Sequence, residues 1–429
     1  MYGTLAKHMA QTNQFLIPRL SEQYFHVFYE HPPFWMQYLA VFFKIFDAGW
    51  VQLRLANFLV VFSSVVILYK TIKSKYSTYE AFFSCVILAL CFPFMKKARI
   101  PLMEVPIILF SLVSLLFYYK AFLKNRWRDW LASGLFFGLA LLMKGVPALF
   151  IPLGTFIHIC ITKRFDILKN TKSYISFFLG LCLFMIWPLM LYLNGELHIF
   201  LSWHHRQFVM TVMKARGVIE NDYFFYLKYL CKTSLPWVLL TVFGVRKALK
   251  TKDNFYLLLF CGLVGVLIPF SLAKFKYSHY ILPAFVFLSA MAGIQLSNVL
   301  SSVARSKLKN ALSYLIILTS VVLLVFPLTV KQRRNIPEHR VKQALKYQNL
   351  NVEQWDYFNG HGAMWDKLTY LYFVKNKSEE LVVNFHKGLD VDKLKRNTVV
   401  VLSEYVFRED FHLLLRNDGV HYYCYRCTD

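Results

Sequence analysis

Residues 104–162 decide the fold, and they read EVPIILFSLVSLLFYYKAFLKNRWRDWLASGLFFGLALLMKGVPALFIPLGTFIHICIT. Three apolar runs, at about 104–119, 130–145 and 146–162, follow one another here, and a short basic loop separates the first two. A bilayer core of about 30 Å needs roughly 20 helical residues to cross it. The runs lack the alternation of polar and apolar residues that barrel strands show. This stretch therefore predicts helices that cross a membrane.

The whole chain shares this character, because 57% of its 429 residues are hydrophobic and its mean hydropathy is +0.42. Soluble domains are only about half apolar, so the composition indicates a membrane protein. The net charge of +25 lies in loops rather than on one soluble face, which argues against nucleic acid as a partner. We predict a polytopic α-helical membrane protein of about ten spans, at 52–72, 79–94, 104–119, 130–145, 146–162, 173–193, 234–246, 255–273, 280–298 and 311–330.

Basic residues set the predicted orientation. They form five clusters in alternate loops: Lys70/Lys73/Lys75, Lys120/Lys124/Arg126/Arg128, Lys163/Arg164/Lys169/Lys172, Arg246/Lys247/Lys250/Lys252 and Arg305/Lys307/Lys309. By the positive-inside rule, the side that carries these clusters is cytoplasmic. The segments then predicted to face outward are 1–51, 95–103, the hairpin near 145, 194–233, 274–279 and everything after residue 330.

The apolar stretch Phe34–Phe46 is the exception among these runs. Its thirteen residues are too few to span a bilayer, and they include Lys44. Counting it as a span would also move all five basic clusters outside, so we predict an interfacial helix instead. Because an outward start at Met1 needs something to export it, we also expect a first helix upstream of this sequence.

The last hundred residues have another character, since charges rise and apolar runs shorten. We predict three regions: an outer loop with interfacial helices at 1–51, a transmembrane domain at 52–330, and an α/β domain at 331–429. Within the last region, 340–347 and 405–415 are helix-like, whereas 397–402 and 419–425 are strand-like. Two cysteines near its end, Cys424 and Cys427, suit a local disulfide better than a zinc ribbon.

Two carboxylates, Glu30 and Glu104, stand in or directly beside predicted outer loops. Glu30 and His31 belong to the motif YEHPP before the interfacial helix, and the alternative is a plain capping and turn segment. Glu104 stands at the lip of a span, where an acid is costly unless it is paired or functional. The alternative for Glu104 is an ion pair with Arg99 or Lys97.

Cations accompany these acids in three further places. Lys144 lies in the hairpin MKGVP, where it either binds a ligand or snorkels to the surface. His204 and His205 are adjacent, so at most one of them can join a metal site. A phosphate at the outer face would be a natural partner for these outer-loop groups, which further include Arg206, Lys274, Lys276, His279 and Tyr280.

In several of these segments the chain resembles membrane glycosyltransferases of the GT-C fold type. The likeness is greatest to the group of lipid A aminoarabinose transferases and protein O-mannosyltransferases. The segments that carry the resemblance are YGTLAKHMAQTNQFLIPRL at 2–20, YEHPP at 29–33, Arg54-Leu55, ARIPLMEVP near 99–106, GLALLMKGVP at 138–147, LPW at 235–237 and residues 271–283.

The resemblance implies an inverting sugar transfer from a polyprenyl-phosphate donor to a lipid A-like or other acceptor, without a nucleotide. It implies a bacterial inner membrane, with the active site and the C-terminal domain on the periplasmic side. The family's catalytic Asp would stand just before the segment that begins at Tyr2, which agrees with an upstream first helix.

The resemblance also suggests roles for residues. Glu104 takes the place of a second outer acid, so Glu104 and Glu30 become the catalytic carboxylates. Glu30, with His204 or His205, would hold a divalent ion such as zinc, magnesium or manganese. His31 stands where mannosyltransferases have His and the aminoarabinose transferase has Lys, which leaves the sugar open. The residues expected to bind the donor phosphate are His31, Lys144, Arg206, Lys274, Lys276, His279 and Tyr280.

Three other functions compete with transfer to a lipid acceptor. The first is protein O-mannosyl transfer, which uses the same kind of donor. The second is a transporter or flippase for lipid-linked sugars, which would also need cations near an anionic head group. A flippase should have polar residues at mid-membrane or internal repeats, and the sequence has neither in clear form. A scaffold that only anchors the C-terminal domain would not need the charged outer loops.

Overall fold

The structure is a computed structural model of the chain. It describes all residues except 21–26, 29, 210–221, 275, 326–335, 349, 351, 353, 359–369, 374–381, 387–393, 403–405, 407–408, 418–419 and 428–429. Two compact units make up the chain: one comprises Gln14–Pro18 and Val27–Val321, and the other comprises Met1–Asn13, Arg19–His26 and Val322–Asp429.

The first unit is a bundle of helices. Their bounds are Phe34–Phe46 (α2), Trp50–Lys75 (α3), Thr78–Leu90 (α4), Phe92–Ala98 (α5), Glu104–Lys124 (α6), Trp127–Lys144 (α7), Phe150–Thr162 (α8), Thr171–Leu193 (α9), Leu197–His204 (α10), Phe225–Thr251 (α11), Asn254–Leu272 (α12), Leu282–Val299 (α13) and Ser302–Val325 (α14). A helix Tyr2–Thr12 (α1) belongs to the other unit.

Five of the described helices are long and apolar enough to cross a membrane, and there are six if one bent pair forms a single span. That pair is α4 and α5, which meet at an angle of 74° next to Cys91. Nine of the ten predicted runs lie in one helix each, counting the short helical turn directly before it, and the run 79–94 is divided between α4 and α5. Residues 326–330 of the last run lie outside the described residues. The helical membrane fold is therefore confirmed, and the number of ten spans stays a prediction.

Helix α2 has the bounds expected from the sequence, Phe34–Phe46. Trp35, Leu39 and Phe43 recur every four residues and are buried, whereas Val41 and Ile45 are exposed. This spacing gives one inward and one outward apolar face, which suits a short helix beside the bundle. Its position at the membrane surface stays a prediction.

Small residues let α7 and α9 pack closely. A Cβ added at Gly134 would overlap the backbone oxygen of Ser176, and one at Gly138 would lie 2.8 Å from Leu183 Cβ. Small residues spaced four apart are the usual means by which membrane helices approach each other. Helix α7 ends at Lys144, so this contact helps to position that residue.

The second unit contains a five-stranded sheet of order β2-β1-β3-β5-β4. Its strands are Gln354–Phe358 (β1), Val382–His386 (β2), Thr398–Leu402 (β3), Phe411–Asn417 (β4) and Val420–Tyr425 (β5), and a helix, Ile336–Tyr347 (α15), precedes them. Strand β1 pairs in parallel with β2 and β3, and β5 pairs antiparallel with β3 and β4. The predicted small α/β domain is therefore confirmed.

One prediction for this domain is wrong. The segment 405–415 was expected to be helix-like, but Phe411–Asn417 is a strand that pairs with β5 from Asn417↔Val420 back to Phe411↔Tyr425. Only Asp418-Gly419 separates the two strands, a dipeptide that favours a tight hairpin. The antiparallel partner thus outweighs the local helical tendency of the leucine run.

Two further contacts concern this unit. Lys7 of α1 is buried and donates from Nζ to the backbone oxygen of Phe373 at 2.6 Å. Cys424 and Cys427 form a disulfide, with 5.7 Å between their Cα atoms. The predicted region boundaries at 51 and 330 stay predictions.

Candidate active site

A buried ion pair joins Glu104 and Lys144. Glu104 is the first residue of α6, and Lys144 is the last residue of α7. A carboxylate is stabilised at a helix N-terminus and an ammonium group at a helix C-terminus, so both helix dipoles favour this pair. Their side chains are only 5% and 8% exposed. The predicted alternatives, a pair with Arg99 or Lys97 for Glu104 and snorkelling for Lys144, are therefore wrong.

The turn after Lys144 depends on Gly145 and Trp203. Gly145 ends α7 with φ +77°, a region that side chains rarely adopt. A Cβ at this position would overlap Cζ2 of Trp203 and lie 3.0 Å from its Cη2. Trp203 is itself packed among Trp187, Phe184 and other rings of α9 and α10. The aromatic cluster thus fixes the backbone that carries the Lys144 ammonium group.

His279 and Tyr280 complete the surroundings of this pair. His279 Nε2 lies 3.7 Å from Glu104 Oε1, and Lys144 Nζ lies 4.5 Å from the centroid of the Tyr280 ring. The segment before them is held by Tyr226, whose hydroxyl donates to the backbone oxygen of Tyr277 at 3.1 Å and accepts from its nitrogen at 3.2 Å. A carboxylate, an ammonium group, an imidazole and a phenol therefore converge on one point.

A second ion pair joins Glu30 and Arg206. Arg206 lies in the single π-helical turn His205–Val209 that follows α10. The next side chain, Gln207, donates from Nε2 to the backbone oxygen of Glu30 at 2.6 Å. Glu30 is therefore held through both its side chain and its backbone. The YEHPP motif is thus more than the plain capping and turn segment that was the alternative.

His31 lies within electrostatic range of cations from both ion pairs. It is half-buried, with its Nδ1 atom enclosed, and its ring lies 6.3 Å from that of Phe28. Burial lowers the pKa of His31 well below its usual value, and the charges of Lys144, Arg206 and His279 lower it further. The interaction with cations of both pairs shows that Glu30, His31, Glu104, Lys144, Arg206, His279 and Tyr280 share one region.

The lowered pKa of His31 predicts that the protein loses stability in acid. Below about pH 6.5 the unfolded chain takes up a proton on His31 that the folded chain does not, so unfolding is favoured as the pH falls. In His31→Gln this uptake is absent. We expect its melting temperature in detergent to fall less between about pH 7 and pH 5 than that of the wild type. The exposed His412→Gln serves as control, and an unchanged pH dependence in His31→Gln would contradict the prediction.

Four residues that were predicted to bind phosphate or metal have no described contact that places them in this region. Lys276 donates from Nζ to the backbone oxygen of Ala273 in its own turn at 2.6 Å, and Lys274 is exposed. His204 and His205 are also exposed. Their role in binding phosphate or metal stays a prediction.

The divalent ion predicted at Glu30, with His204 or His205, stays a prediction. Glu30 is engaged by Arg206, and the part of the chain that the structure describes contains no group of three or more His, Cys, Asp or Glu that could hold a metal.

Sequence reasoning missed several residues that build the site. Trp203 stands directly before the two histidines, and Gln207 directly follows Arg206, but neither carries a charge that would draw notice. Tyr226 lies in α11, which begins inside the segment expected to be the outer loop 194–233. Only Gly145 gave a usable signal, as the glycine of the MKGVP hairpin.

Comparison with known proteins shows which fold the chain shares. Residues 30–190 match the family model of dolichyl-phosphate-mannose-protein mannosyltransferase. The fold is similar to that of ArnT from Cupriavidus metallidurans bound to undecaprenyl phosphate, with a TM-score of 0.68, 15% identity, and coverage of 98% of this chain and 92% of that chain. The protein therefore has the fold of the GT-C membrane glycosyltransferases, and the predicted resemblance to this family is confirmed.

Two further proteins are similar over part of their length. The archaeal oligosaccharyltransferase AglB from Archaeoglobus fulgidus, in complex with an inhibitory peptide and a dolichol-phosphate, matches with a TM-score of 0.51 and 10% identity over 87% of this chain and 59% of that chain. An uncharacterized protein from Aquifex aeolicus (strain VF5) is 28% identical over 341 residues. That alignment covers 77% of this chain and 64% of the relative, so the chain spans less than two thirds of the relative's length.

Proposed function

We propose that this protein transfers a sugar from a polyprenyl-phosphate donor to a hydroxyl group of a lipid acceptor. The observation that carries the proposal is the convergence of Glu104, Lys144, His279 and Tyr280 in a largely buried site. Cations in such a site stabilise the charge that collects on a leaving phosphate. The similar structures contain undecaprenyl phosphate or dolichol-phosphate, which supports a polyprenyl phosphate as the carrier.

The charges of the site favour an exchange of partners when the donor binds. Lys144 and Arg206 are each neutralised by one carboxylate, so these four groups carry no net charge. A phosphate near Lys144 competes with Glu104 for its ammonium group, and near Arg206 it competes with Glu30. Transfer of one or both cations to the phosphate leaves a carboxylate without its ion-pair partner, and such a carboxylate is a stronger base.

The chemical step follows from this exchange. Glu104 takes the proton of the acceptor hydroxyl, whose oxygen attacks the anomeric carbon of the sugar. The bond between that carbon and the phosphate oxygen breaks, and the polyprenyl phosphate leaves with its electrons. Lys144, Arg206 and the Tyr280 hydroxyl stabilise the leaving phosphate. Attack opposite to the leaving group inverts the configuration at the anomeric carbon.

The proposed reaction takes place at a membrane face and on an acceptor that the sequence also suggests. The basic loops favour a plasma membrane location with the site on the outer, periplasmic face. A protein acceptor is the second candidate, because residues 30–190 match a family model described by its protein mannosyltransferase activity.

A transfer assay tests the proposal. Membranes that contain the protein are given a polyprenyl-phosphate sugar radiolabelled in the sugar, and label is counted separately in the lipid and protein fractions. We expect covalent transfer to lipid, and a rate about 10²-fold lower for Glu104→Gln, which keeps the side-chain shape but removes the base. The control Asp166→Asn removes an exposed carboxylate that pairs with Arg164, and it should leave the rate unchanged.

The outcomes of this assay separate the candidates. Label in the protein fraction would favour a protein acceptor. Label that crosses the membrane while still attached to its carrier would favour a flippase and overturn the proposal. Equal rates for the wild type and Glu104→Gln would remove Glu104 as the base.

A further inference from the structure

A short segment, residues 99–103, leads from the end of α5 to the base proposed for the transfer. It follows Ala98, the last residue of α5, and Glu104 begins α6 directly after it. The segment turns tightly, because the Leu102 nitrogen donates to the Ile100 oxygen at 2.7 Å. Such a local bond shapes the segment but does not fix it against the neighbouring helices. The position of the Glu104 carboxylate therefore depends on what else holds this backbone.

Trp35 of α2 holds the middle of the segment. Its indole Nε1 donates to the backbone oxygen of Pro101 at 3.2 Å, and the side chain is buried. The ring stacks on that of Tyr38, with 5.2 Å between the centroids and 13° between the planes. Pro101 precedes Glu104 by less than one helical turn of sequence. The indole N–H thus connects α2 to the backbone that carries the Glu104 carboxylate.

Asn57 of α3 holds the beginning of the segment. Its Nδ2 donates to the backbone oxygen of Ala98 at 2.6 Å, and the side chain is buried in a helix apolar enough to span a membrane. Its Oδ1 is buried as well, and no described residue donates to it. An amide in apolar surroundings costs free energy unless it is hydrogen-bonded. The bond to Ala98 is therefore what this polar side chain contributes, since leucine would otherwise suit the position better.

The two donors belong to one network. The Tyr38 hydroxyl of α2 donates to the backbone oxygen of Ala56 at 3.1 Å, directly before Asn57 on α3. Helices α2 and α3 are therefore joined at the level where both donate to the segment. Helix α2 also follows the YEHPP motif, so it begins shortly after His31. One short helix thus connects the part of the site around His31 with the backbone before Glu104.

We propose that Trp35 and Asn57 are positioning residues for the Glu104 carboxylate. Both act through the backbone of residues 98–101, and the carboxylate at the start of α6 moves with that backbone. The inference rests on the proposed sugar transfer, in which Glu104 takes the proton of the acceptor hydroxyl. A base must lie within hydrogen-bond distance of that proton, so a small displacement of the carboxylate slows the chemical step.

Trp35→Phe and Asn57→Leu test the proposal, because each removes one donor and leaves an apolar side chain in its place. The concentration of the radiolabelled polyprenyl-phosphate sugar is varied, so that kcat and KM are obtained separately. We expect each change to lower kcat about tenfold, since a displacement of about 1 Å costs up to about 10²-fold. The KM for the donor should stay nearly unchanged, because the cations proposed to bind its phosphate lie on other segments.

The same two changes are made in Glu104→Gln. If Trp35 and Asn57 act through the Glu104 carboxylate, neither change should lower kcat further once that carboxylate is absent. A further loss as large as that in the wild type would show that they act elsewhere, and it would overturn the proposal. An unchanged kcat in both Trp35→Phe and Asn57→Leu would overturn it as well.

Trp130→Phe is the matched control. The Trp130 indole is also buried, and its Nε1 donates to Asn125 Oδ1 at 3.0 Å. It lies near the beginning of α7, whereas Lys144 ends that helix. The control removes the same kind of bond far from the candidate active site, so it should leave kcat unchanged. An equal loss of kcat in Trp130→Phe and Trp35→Phe would make the loss a general effect of stability and contradict the proposal.

Hydrogen exchange tests the hold on the segment without any activity. Exchange of the backbone amides in peptides covering residues 99–103 is followed by mass spectrometry of the purified proteins in detergent. We expect faster exchange there in Trp35→Phe and Asn57→Leu, and no change in Trp130→Phe. Absence of transfer by the wild type would overturn the proposed function. Unchanged exchange in Trp35→Phe and Asn57→Leu would instead overturn their hold on the segment, whatever the wild type transfers.

Discussion

Lys144→Met is expected to lower sugar transfer by about 10³-fold, because in the proposed mechanism this buried cation stabilises the leaving phosphate. The same change leaves the Glu104 carboxylate buried without its ion-pair partner. Breaking a buried ion pair in this way costs about 3–5 kcal/mol of folding free energy. We therefore expect Lys144→Met to lose both transfer and stability, measured by the radiolabel assay and by thermal unfolding in detergent.

A double variant tests whether the broken ion pair causes the loss of stability. Glu104→Leu/Lys144→Met removes both charges and fills their space with apolar groups, which is often neutral for stability. We expect its melting temperature to recover most of the loss seen in Lys144→Met, while transfer stays absent. If transfer returned together with stability, Lys144 would be a structural residue and its place in the mechanism would be lost. If stability did not return, the ion pair would not be the cause of the loss.

The sequence was sufficient to predict the helical membrane fold. Long apolar runs are a local property, and the bounds of α2 agree with the structure at both ends. The small C-terminal domain was also predicted, since strands such as Thr398–Leu402 carry their own β-branched pattern. The prediction of a helix at 405–415 was wrong for 411–415, because a leucine run suits a helix or a strand equally. Pairing with the neighbouring strand β5 decides the outcome.

The residues of the site were predicted better than their pairing. Glu104, Lys144, Glu30 and Arg206 were all singled out, yet Glu104 was offered only its close neighbours Arg99 and Lys97 as partners. Its actual partner is forty residues away, and Arg206 is 176 residues from Glu30. Such pairs depend on how helices pack, which a single sequence does not encode locally. The same reason hides Trp203, whose role comes from its contact with Gly145.

Gly145→Ala is expected to reduce sugar transfer strongly, because it changes the turn that directly follows Lys144. The backbone at Gly145 has φ +77° and ψ −129°, a conformation that costs alanine about 1–3 kcal/mol. The new Cβ would also overlap the Trp203 ring, which is 3% exposed and cannot move aside without disturbing its cluster. Either the turn or the ring must shift, and Lys144 shifts with the turn. We expect a loss of transfer of at least about 10²-fold, since a displacement of about 1 Å has an effect of this size.

Gly195→Ala is the matched control for this prediction. Gly195 also has a positive φ, +74°, but a Cβ at Gly195 would meet no atom within 4 Å. It therefore carries the backbone cost without the overlap, and we expect a lower melting temperature with nearly normal transfer. The double variant Gly145→Ala/Trp203→Leu makes room for the methyl group and should restore part of the transfer lost in Gly145→Ala. If Gly145→Ala and Gly195→Ala reduced transfer equally, backbone strain alone would explain the effect. Contact between the ring and the turn would then not be what positions Lys144.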